Sequence, residues 1–181
     1  MYNFFIKVKN IILNFIKRKP KKISLPVSDI FIANCEGETL LRWDIVVKYL
    51  AIENYYGEND FGFELYLKMQ SARSWPARAI ESLKDFKDLI KSWEINGYDK
   101  NSCIYVDTDL ILHNGAHRMA LALYHNEPYI NAYYIQRNKP ADFSELWFCS
   151  NNFSEAEISI IRKKSDDLFL NTCKNNTITS H

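Results

Sequence analysis

The chain lacks a C-x-x-C pair, internal repeats, a low-complexity block and a coiled-coil heptad pattern. Its four cysteines stand far apart in the sequence, with no histidine nearby at zinc spacing. This distribution argues against a structural zinc site and against a disulfide framework. We therefore expect reduced thiols in a cytoplasmic protein.

Acidic residues are absent from residues 1–22, which contain seven Lys or Arg. The whole chain has 23 basic and 22 acidic residues, so the remainder holds 16 basic against 22 acidic ones, a net charge of −6. Surfaces that bind nucleic acid are strongly basic. The charge of the main body therefore argues against a nucleic-acid partner.

The basic segment also has an apolar face. Phe4, Ile11 and Phe15 recur at helical spacing within residues 1–19, and Pro20 ends the pattern. The segment is too short and too charged to span a bilayer. We predict an amphipathic helix, which would lie either on an anionic inner membrane surface or on the protein body or a second subunit.

Hydrophobic residues make up 47% of the 181 residues, which is enough to bury a core. Hydrophobic periodicity then predicts alternating helices and strands. The clearest helix covers residues 81–96, where Phe86, Ile90 and Trp93 share a face and Gly97 suits the carboxyl end.

Weaker patterns predict the remaining elements and the segment boundaries. The predicted elements are one or two short strands within 23–34, helices over about 40–55 and 58–73, a hairpin over 103–114, a helix over 116–126, a strand over 128–136 and a terminal helix over about 155–170. Thr39 could cap the helix at 40–55, and Ser154 with Glu157 fits a capping box. We divide the chain into a basic helix and linker at 1–22, a main domain at 23–145, a helical extension at 146–172 and a disordered tail at 173–181.

The segment Asn-Gly-Ala-His-Arg, residues 114–118, joins the end of a predicted strand to the start of a helix. The first backbone N–H groups of a helix have no acceptor within the helix, and its dipole favours an anion there. Gly115 would let a ligand approach the backbone, and His117 and Arg118 would add donors. This pattern predicts a phosphate site formed by Asn114, Gly115, Ala116, His117 and Arg118. A solvated His-Arg pair is the simpler alternative.

The order of elements around this motif resembles the ParB/sulfiredoxin superfamily, whose members carry a Gly-x-(His/Arg)-Arg box after a hairpin. The resemblance covers residues 81–136 well and residues 23–80 loosely. It implies an α+β fold with a small mixed sheet and packed helices, in which the box holds the phosphates of a nucleotide. The N-terminal and C-terminal helices would be additions to that fold.

Two branches of the superfamily fit poorly. Sulfiredoxins need a cysteine directly before the His-Arg pair, and this chain has Ala116 there. Chromosome-partition ParB proteins follow the box with a helix-turn-helix, for which few residues remain. The chain most resembles the free-serine kinase type, which implies ATP or ADP, Mg²⁺ and a small hydroxyl compound as acceptor.

Phosphoryl transfer needs a phosphate clamp, charge neutralisation and a carboxylate that orients or deprotonates the acceptor. The resemblance implies Glu81 as this base and His117 as a second catalytic residue. Asp107, at the hairpin turn, is a weaker candidate for holding the metal or the acceptor. Asn114 stands where the family usually has aspartate, so the metal ligands stay undefined.

Each of these residues also has an ordinary structural explanation. Acids such as Glu81 are favoured in the first turn of a helix, and Asp107 could simply shape a turn. The pair Asp44 and Lys48, at i,i+4, is typical of a solvated salt bridge. As the functional alternative, Arg42, Asp44, Lys48 and Lys84 would contact phosphate or substrate.

The function best supported by sequence is thus a nucleotide-dependent small-molecule kinase, with a sugar or surface-polysaccharide precursor as one acceptor class. The alternatives are a ParB-like nucleotide-binding switch, a nuclease-like module that binds nucleic acid, and an inactive scaffold. The sequence makes no prediction of the oligomeric state.

Overall fold

The computed structural model describes residues 21–35, 42–136 and 141–178. Within these ranges the chain forms seven helices and four strands. In chain order they are β1 (Lys22–Pro26), α1 (Val27–Cys35), α2 (Trp43–Tyr55), α3 (Gly62–Arg73), α4 (Pro76–Asn96), β2 (Ile104–Val106), β3 (Leu112–Asn114), α5 (Ala116–Tyr124), β4 (Tyr129–Tyr134), α6 (Glu145–Ser150) and α7 (Glu155–Ile178).

The four strands form one mixed sheet in the order β1-β4-β2-β3. Strand β4 is antiparallel to β1 and parallel to β2, and β2 and β3 form the antiparallel hairpin predicted from sequence. Residues 129–134 are the predicted strand. The fold is therefore α+β, as expected.

Helix α2 lies at the centre of the molecule, because it packs against α3, α5 and α7. Its residues from Trp43 to Lys48 are all buried. Helix α3 begins at Gly62, where a Cβ atom would collide with the backbone carbonyl of Leu50 in α2. Gly62 thus permits the close crossing of these two helices.

The prediction for residues 23–34 was wrong after Pro26. Only Lys22–Pro26 is a strand, and Val27–Cys35 is helical. The β-branched and aromatic residues favoured a strand, but the buried positions Val27, Ile30, Phe31 and Asn34 follow the spacing of one helix face.

Several local predictions are confirmed. Helix α4 ends at Gly97, whose φ is 68° and whose N–H donates to the Trp93 carbonyl at 2.8 Å. The capping box also forms, because the N–H of Glu157 donates to Ser154 Oγ at 3.3 Å and the N–H of Ser154 donates to Glu157 Oε2 at 2.6 Å.

Helix α7 is longer than predicted and continues to Ile178, through residues that were assigned to a tail. Its Ile158 and Ile161 belong to the same hydrophobic core as the sheet and α2. The short helix α6 was not predicted.

The predicted amphipathic helix within residues 1–19 and the cap at Thr39 lie outside the described residues. Among the helices that are described, none combines the length and the hydropathy needed to cross a membrane.

Candidate functional site

The Asn-Gly-Ala-His-Arg segment lies where strand β3 turns into helix α5. Gly115 has a φ of 101°, a left-handed conformation that side chains rarely adopt. A Cβ atom here would also lie 2.5 Å from Cγ2 of Ile104 in strand β2. The turn and the packing therefore require glycine without any ligand.

The amino end of α5 has no side-chain cap. The first helical hydrogen bond runs from the N–H of Met119 to the Gly115 carbonyl at 2.9 Å. The N–H groups of Ala116, His117 and Arg118 precede it, and such groups are the ones a helix leaves for an external acceptor. Asn114 is exposed beside them.

His117 turns its ring toward helices α3 and α4. Its Nε2 lies 2.8 Å from the Tyr66 hydroxyl, which donates to the Ser82 carbonyl at 3.1 Å. The ring packs 4.4 Å from that of Phe86 between centroids. The Tyr66 hydroxyl donates its proton to the Ser82 carbonyl, so it can only accept from His117. The arrangement therefore favours the His117 tautomer in which Nε2 donates to the Tyr66 oxygen and Nδ1 is an acceptor.

Burial holds the pKa of His117 well below its usual value, and the positive charge of Lys48 lowers it further. Arg73 and Arg118 act in the same direction, whereas Asp44 opposes them. His117 is therefore neutral at pH 7. Burial also raises the pKa of Tyr66, to about 12, so its hydroxyl keeps its proton.

Arg118 extends toward the loop before β2. Its Nη1 donates to the Cys103 carbonyl at 3.2 Å, and its buried Nε has no hydrogen-bond partner within the described part of the chain. The Arg118 guanidinium is thus partly engaged in a hydrogen bond to the protein backbone.

A buried ion triad lies beside the start of α5. Asp44 binds Arg42 through both oxygens, at 2.7 and 3.0 Å, and accepts from Lys48 Nζ at 2.9 Å. The exposed fractions of Arg42, Asp44 and Lys48 are 4%, 1% and 2%. The pair at i,i+4 is therefore not the solvated salt bridge typical of that spacing.

The triad has two cationic groups and one carboxylate, which leaves a charge of +1 when all three are ionised. Burial raises the pKa of Asp44, but Lys48 and Arg42 outweigh it and the pKa falls far below its ordinary value. Burial lowers the pKa of Lys48 to about 8, only partly opposed by Asp44. One carboxylate, Asp44, therefore neutralises only one of the two positive charges of Arg42 and Lys48.

The triad is tied to the motif through the β3 backbone. Nη1 of Arg42 donates to the carbonyl of Leu112, in the strand that leads into Gly115. The guanidinium of Arg42 lies 5.4 Å from the centroid of Phe143, and that of Arg73 lies 4.6 Å from the same ring. Arg73, the last residue of α3, is exposed and adds a positive charge here.

Glu81 lies in the second turn of α4 and not at its start, because the helix begins at Pro76, five residues before the predicted start. Its side chain is 61% exposed, and it accepts a hydrogen bond from Arg78 at 2.6 Å. It directly precedes Ser82, whose carbonyl contacts Tyr66. The fold thus brings the first turns of α4 to within two hydrogen bonds of His117. Lys84 is exposed on the same helix.

Asp107 has the structural role. Its Oδ1 accepts from the N–H groups of Asp109 and Ile111 at 3.0 and 3.1 Å, and its Oδ2 lies 3.0 Å from His113 Nε2. Both oxygens of Asp107 are therefore engaged within the hairpin, and neither bonds to a residue of the ion triad.

The described residues do not offer a ready metal site. No group of three or more His, Cys, Asp or Glu within them could hold an ion. Asp44 and Asp107, the two buried acids among the candidates, are both used by protein donors. A protein-held Mg²⁺ therefore does not fit these side chains.

A cavity of about 660 Å³ lies at the opposite, carboxyl end of α5. Among the described residues, its wall includes Asp29 and Glu127 but no Lys or Arg, and none of the candidate residues. An acidic wall at a helix carboxyl end repels phosphate. The electrostatics therefore favour the amino end of α5 as the anion site.

Sequence reasoning missed Tyr66, Arg73 and Ser82. Tyr66 reads as an ordinary core residue, and a backbone carbonyl such as that of Ser82 has no sequence signature. Arg73 differs in no way from other surface arginines until α3 packs beside the ion triad. Only the contacts between helices identify these residues.

Comparisons of the chain with protein-family models, curated proteins and solved structures find no match.

Replacing Asp44 with Asn should leave two buried cations without a counter-charge. We expect the free energy of unfolding to fall by about 3–5 kcal/mol, measured by urea titration. Glu145→Gln is the matched control, since its pair with Arg162 is partly exposed and such pairs are worth about 0–1 kcal/mol. Adding Lys48→Met to Asp44→Asn should recover part of the loss. Equal effects of Asp44→Asn and Glu145→Gln would contradict the importance of the triad.

Acid should destabilise the fold through His117. The pKa of His117 is lower in the folded chain than in the unfolded chain. Below about pH 6.5, His117 therefore binds a proton in the unfolded chain but stays neutral in the folded one. Stability is then lost as pH falls, at up to about 1.4 kcal/mol per pH unit. Urea titrations from pH 7.5 to 5.5 should show a shallower dependence for His117→Gln. His125→Gln is the comparison. It should also make the dependence on pH shallower, because burial lowers the pKa of His125 as well. An unchanged slope for His117→Gln would exclude a neutral, buried imidazole.

Proposed function

We propose that this chain binds the phosphate groups of a nucleotide at the amino end of α5 and transfers a phosphoryl group to a small-molecule hydroxyl. The observation that carries the proposal is the uncompensated positive charge of the buried triad, next to an uncapped helix end. A lone helix end or a lone ion pair would not suffice.

The charge argument is one of desolvation. A cation removed from water is stable only with a counter-charge, and Asp44 supplies one for two cations. The pKa of Lys48, lowered to about 8 by burial, reflects this shortage. A bound phosphate would supply the second negative charge and accept hydrogen bonds from the N–H groups of residues 116–118.

The residues around the helix end suit this role. Gly115 gives the backbone the turn that starts α5, and Asn114 is exposed beside it. Arg73 and the unused donors of Arg118 would reach the outer phosphate oxygens, since guanidinium groups match phosphate geometry. His117, held neutral by burial and by the charges of Lys48 and Arg73, would take on a proton more readily once phosphate lowers the local potential.

Transfer requires that the acceptor oxygen bond to the terminal phosphorus while the bond to the bridging oxygen breaks. The acceptor proton then passes to a base, and the leaving oxygen departs with the nucleoside diphosphate. Glu81 is the proposed base, because it lies in the second turn of α4 beside the residue that contacts Tyr66. Mg²⁺ would arrive as the nucleotide complex, and no step is assigned to a metal held by the protein.

The fold is compatible with a ParB/sulfiredoxin-like kinase of the free-serine type. In support of this, the β2-β3 hairpin leads through Asn114 and Gly115 into α5, and β4 then returns parallel to β2.

Nucleotides should raise the melting temperature of the full chain. At a ligand concentration of about 100 Kd, binding adds about 2.7 kcal/mol, or about 5–10 °C for a chain of this size. Lys48→Met removes the excess charge while filling its volume, so the fold should persist. We expect it to weaken binding of ATP at least about tenfold. Lys163→Met, an exposed lysine on α7, is the control.

Transfer is measured separately, as ATP-dependent phosphorylation of a panel of sugars and amino acids. Glu81→Gln should lower it by about a hundredfold or more, with binding retained. Binding without transfer to any acceptor would favour a nucleotide-binding switch. An unchanged melting temperature with ATP, ADP, CTP and GTP would remove the basis of the proposal.

We also propose that residues 1–19 attach the protein to the inner membrane face, near an acceptor such as a surface-polysaccharide precursor. The full chain should co-sediment with vesicles containing phosphatidylserine, and less so at high salt. Deletion of residues 1–22 should abolish this, and vesicles of phosphatidylcholine alone are the control. If the full chain stays in the supernatant, the segment packs on protein instead.

A further inference from the structure

Trp75 is an exposed tryptophan that contributes little to the core. It exposes 72% of its surface, whereas Trp43 and Trp93 expose 3% and 6%. Within the described residues its ring has no aromatic or cationic partner. Tryptophan is highly buried on average, so a ring this exposed is unusual and is open to contact with a ligand.

The backbone holds Trp75 in a defined position. It is the N-cap residue of α4, with Pro76 following as the first helical residue. Its carbonyl accepts the N–H groups of Arg78 and Ala79 at 3.0 and 3.2 Å, and Ala79 is buried. The indole is therefore displayed from a fixed helix start.

Trp75 lies between α3 and α4, which both contribute residues to the candidate site. It is two residues from Arg73, whose guanidinium shares the Phe143 ring with Arg42 of the triad. On its other side, the first turns of α4 reach His117 through Ser82 and Tyr66. Arg73 and Arg78 are its nearest cationic neighbours along the chain, and both are exposed.

We propose that the indole of Trp75 is the platform on which the planar base of the bound nucleotide stacks. The inference rests on the proposed function and adds the recognition of the base to that of the phosphates. An exposed aromatic face close in the chain to Arg73 and Arg78 suits a ligand with a flat ring and a negative tail, because stacking and charge then act on different parts of one molecule. A purine should stack more strongly than a pyrimidine, since its ring is larger.

The test compares ATP and CTP with inorganic tripolyphosphate, which has the charge but no base. Calorimetric titration of the full chain should show about tenfold weaker ATP binding for Trp75→Ala, a smaller loss for CTP and none for tripolyphosphate. Trp75→Phe should retain most of the ATP affinity. Leu146→Ala is the control, since Leu146 is 76% exposed at the start of α6, and it should change none of the three. Quenching of tryptophan fluorescence by ATP, but not by tripolyphosphate, should vanish in Trp75→Phe.

The outcomes separate the two proposals. Unchanged ATP affinity in Trp75→Ala, with both ligands weakened by Lys48→Met, would overturn the stacking role and leave the phosphate site intact. An equal loss of ATP and tripolyphosphate in Trp75→Ala would give the residue a structural role and refute base recognition. If neither ligand binds the unaltered chain, the phosphate site fails and the stacking role fails with it.

Discussion

The architecture around α5 depends on the carboxylate of Asp44. It binds Arg42 and Lys48 at once in the interior, and Arg42 in turn donates to the Leu112 carbonyl of β3. One carboxylate thus fixes the start of α2 against the strand that leads into α5. Ionised groups this deeply buried persist only when paired, so the helix, the strand and the three charges are stable only together.

This pairing has an electrostatic consequence for the neighbouring histidine. The charge left over from the triad acts together with burial on His117 and keeps it neutral. The neutral ring then lies among Tyr66, Phe86 and the Ser82 carbonyl, which connects α3, α4 and α5. Lys48 and Arg73 contribute positive charge near His117, at the amino end of α5. The acidic cavity lies at the other end of α5, so the helix has opposite electrostatic surroundings at its two ends.

Much of the fold is local enough to read from sequence. The carboxyl end of helix α4 at Gly97, the β2-β3 hairpin, the start of α5 and the Ser154-Glu157 capping box depend on residues a few positions apart, and all were predicted. The start of α4 at Pro76, five residues before the predicted one, was not. The stretch after Pro26 was not, because β-branched residues favour strands and only packing against the core selects the helical face of Val27, Ile30 and Phe31. Helix α6 is too short for a periodic signal.

For the candidate site, sequence alone determined where the backbone turns: Gly115 at the amino end of a helix, His117 and Arg118 in its first turn, and Asp44 four residues before Lys48. Tertiary structure decided what these groups experience. It buried the Asp44-Lys48 pair with Arg42, engaged Asp107 in a turn, left Glu81 exposed beside Arg78, and joined His117 to Tyr66. The reason is that helical spacing is a local property, whereas desolvation and charge pairing depend on what distant parts of the chain bring to the same place.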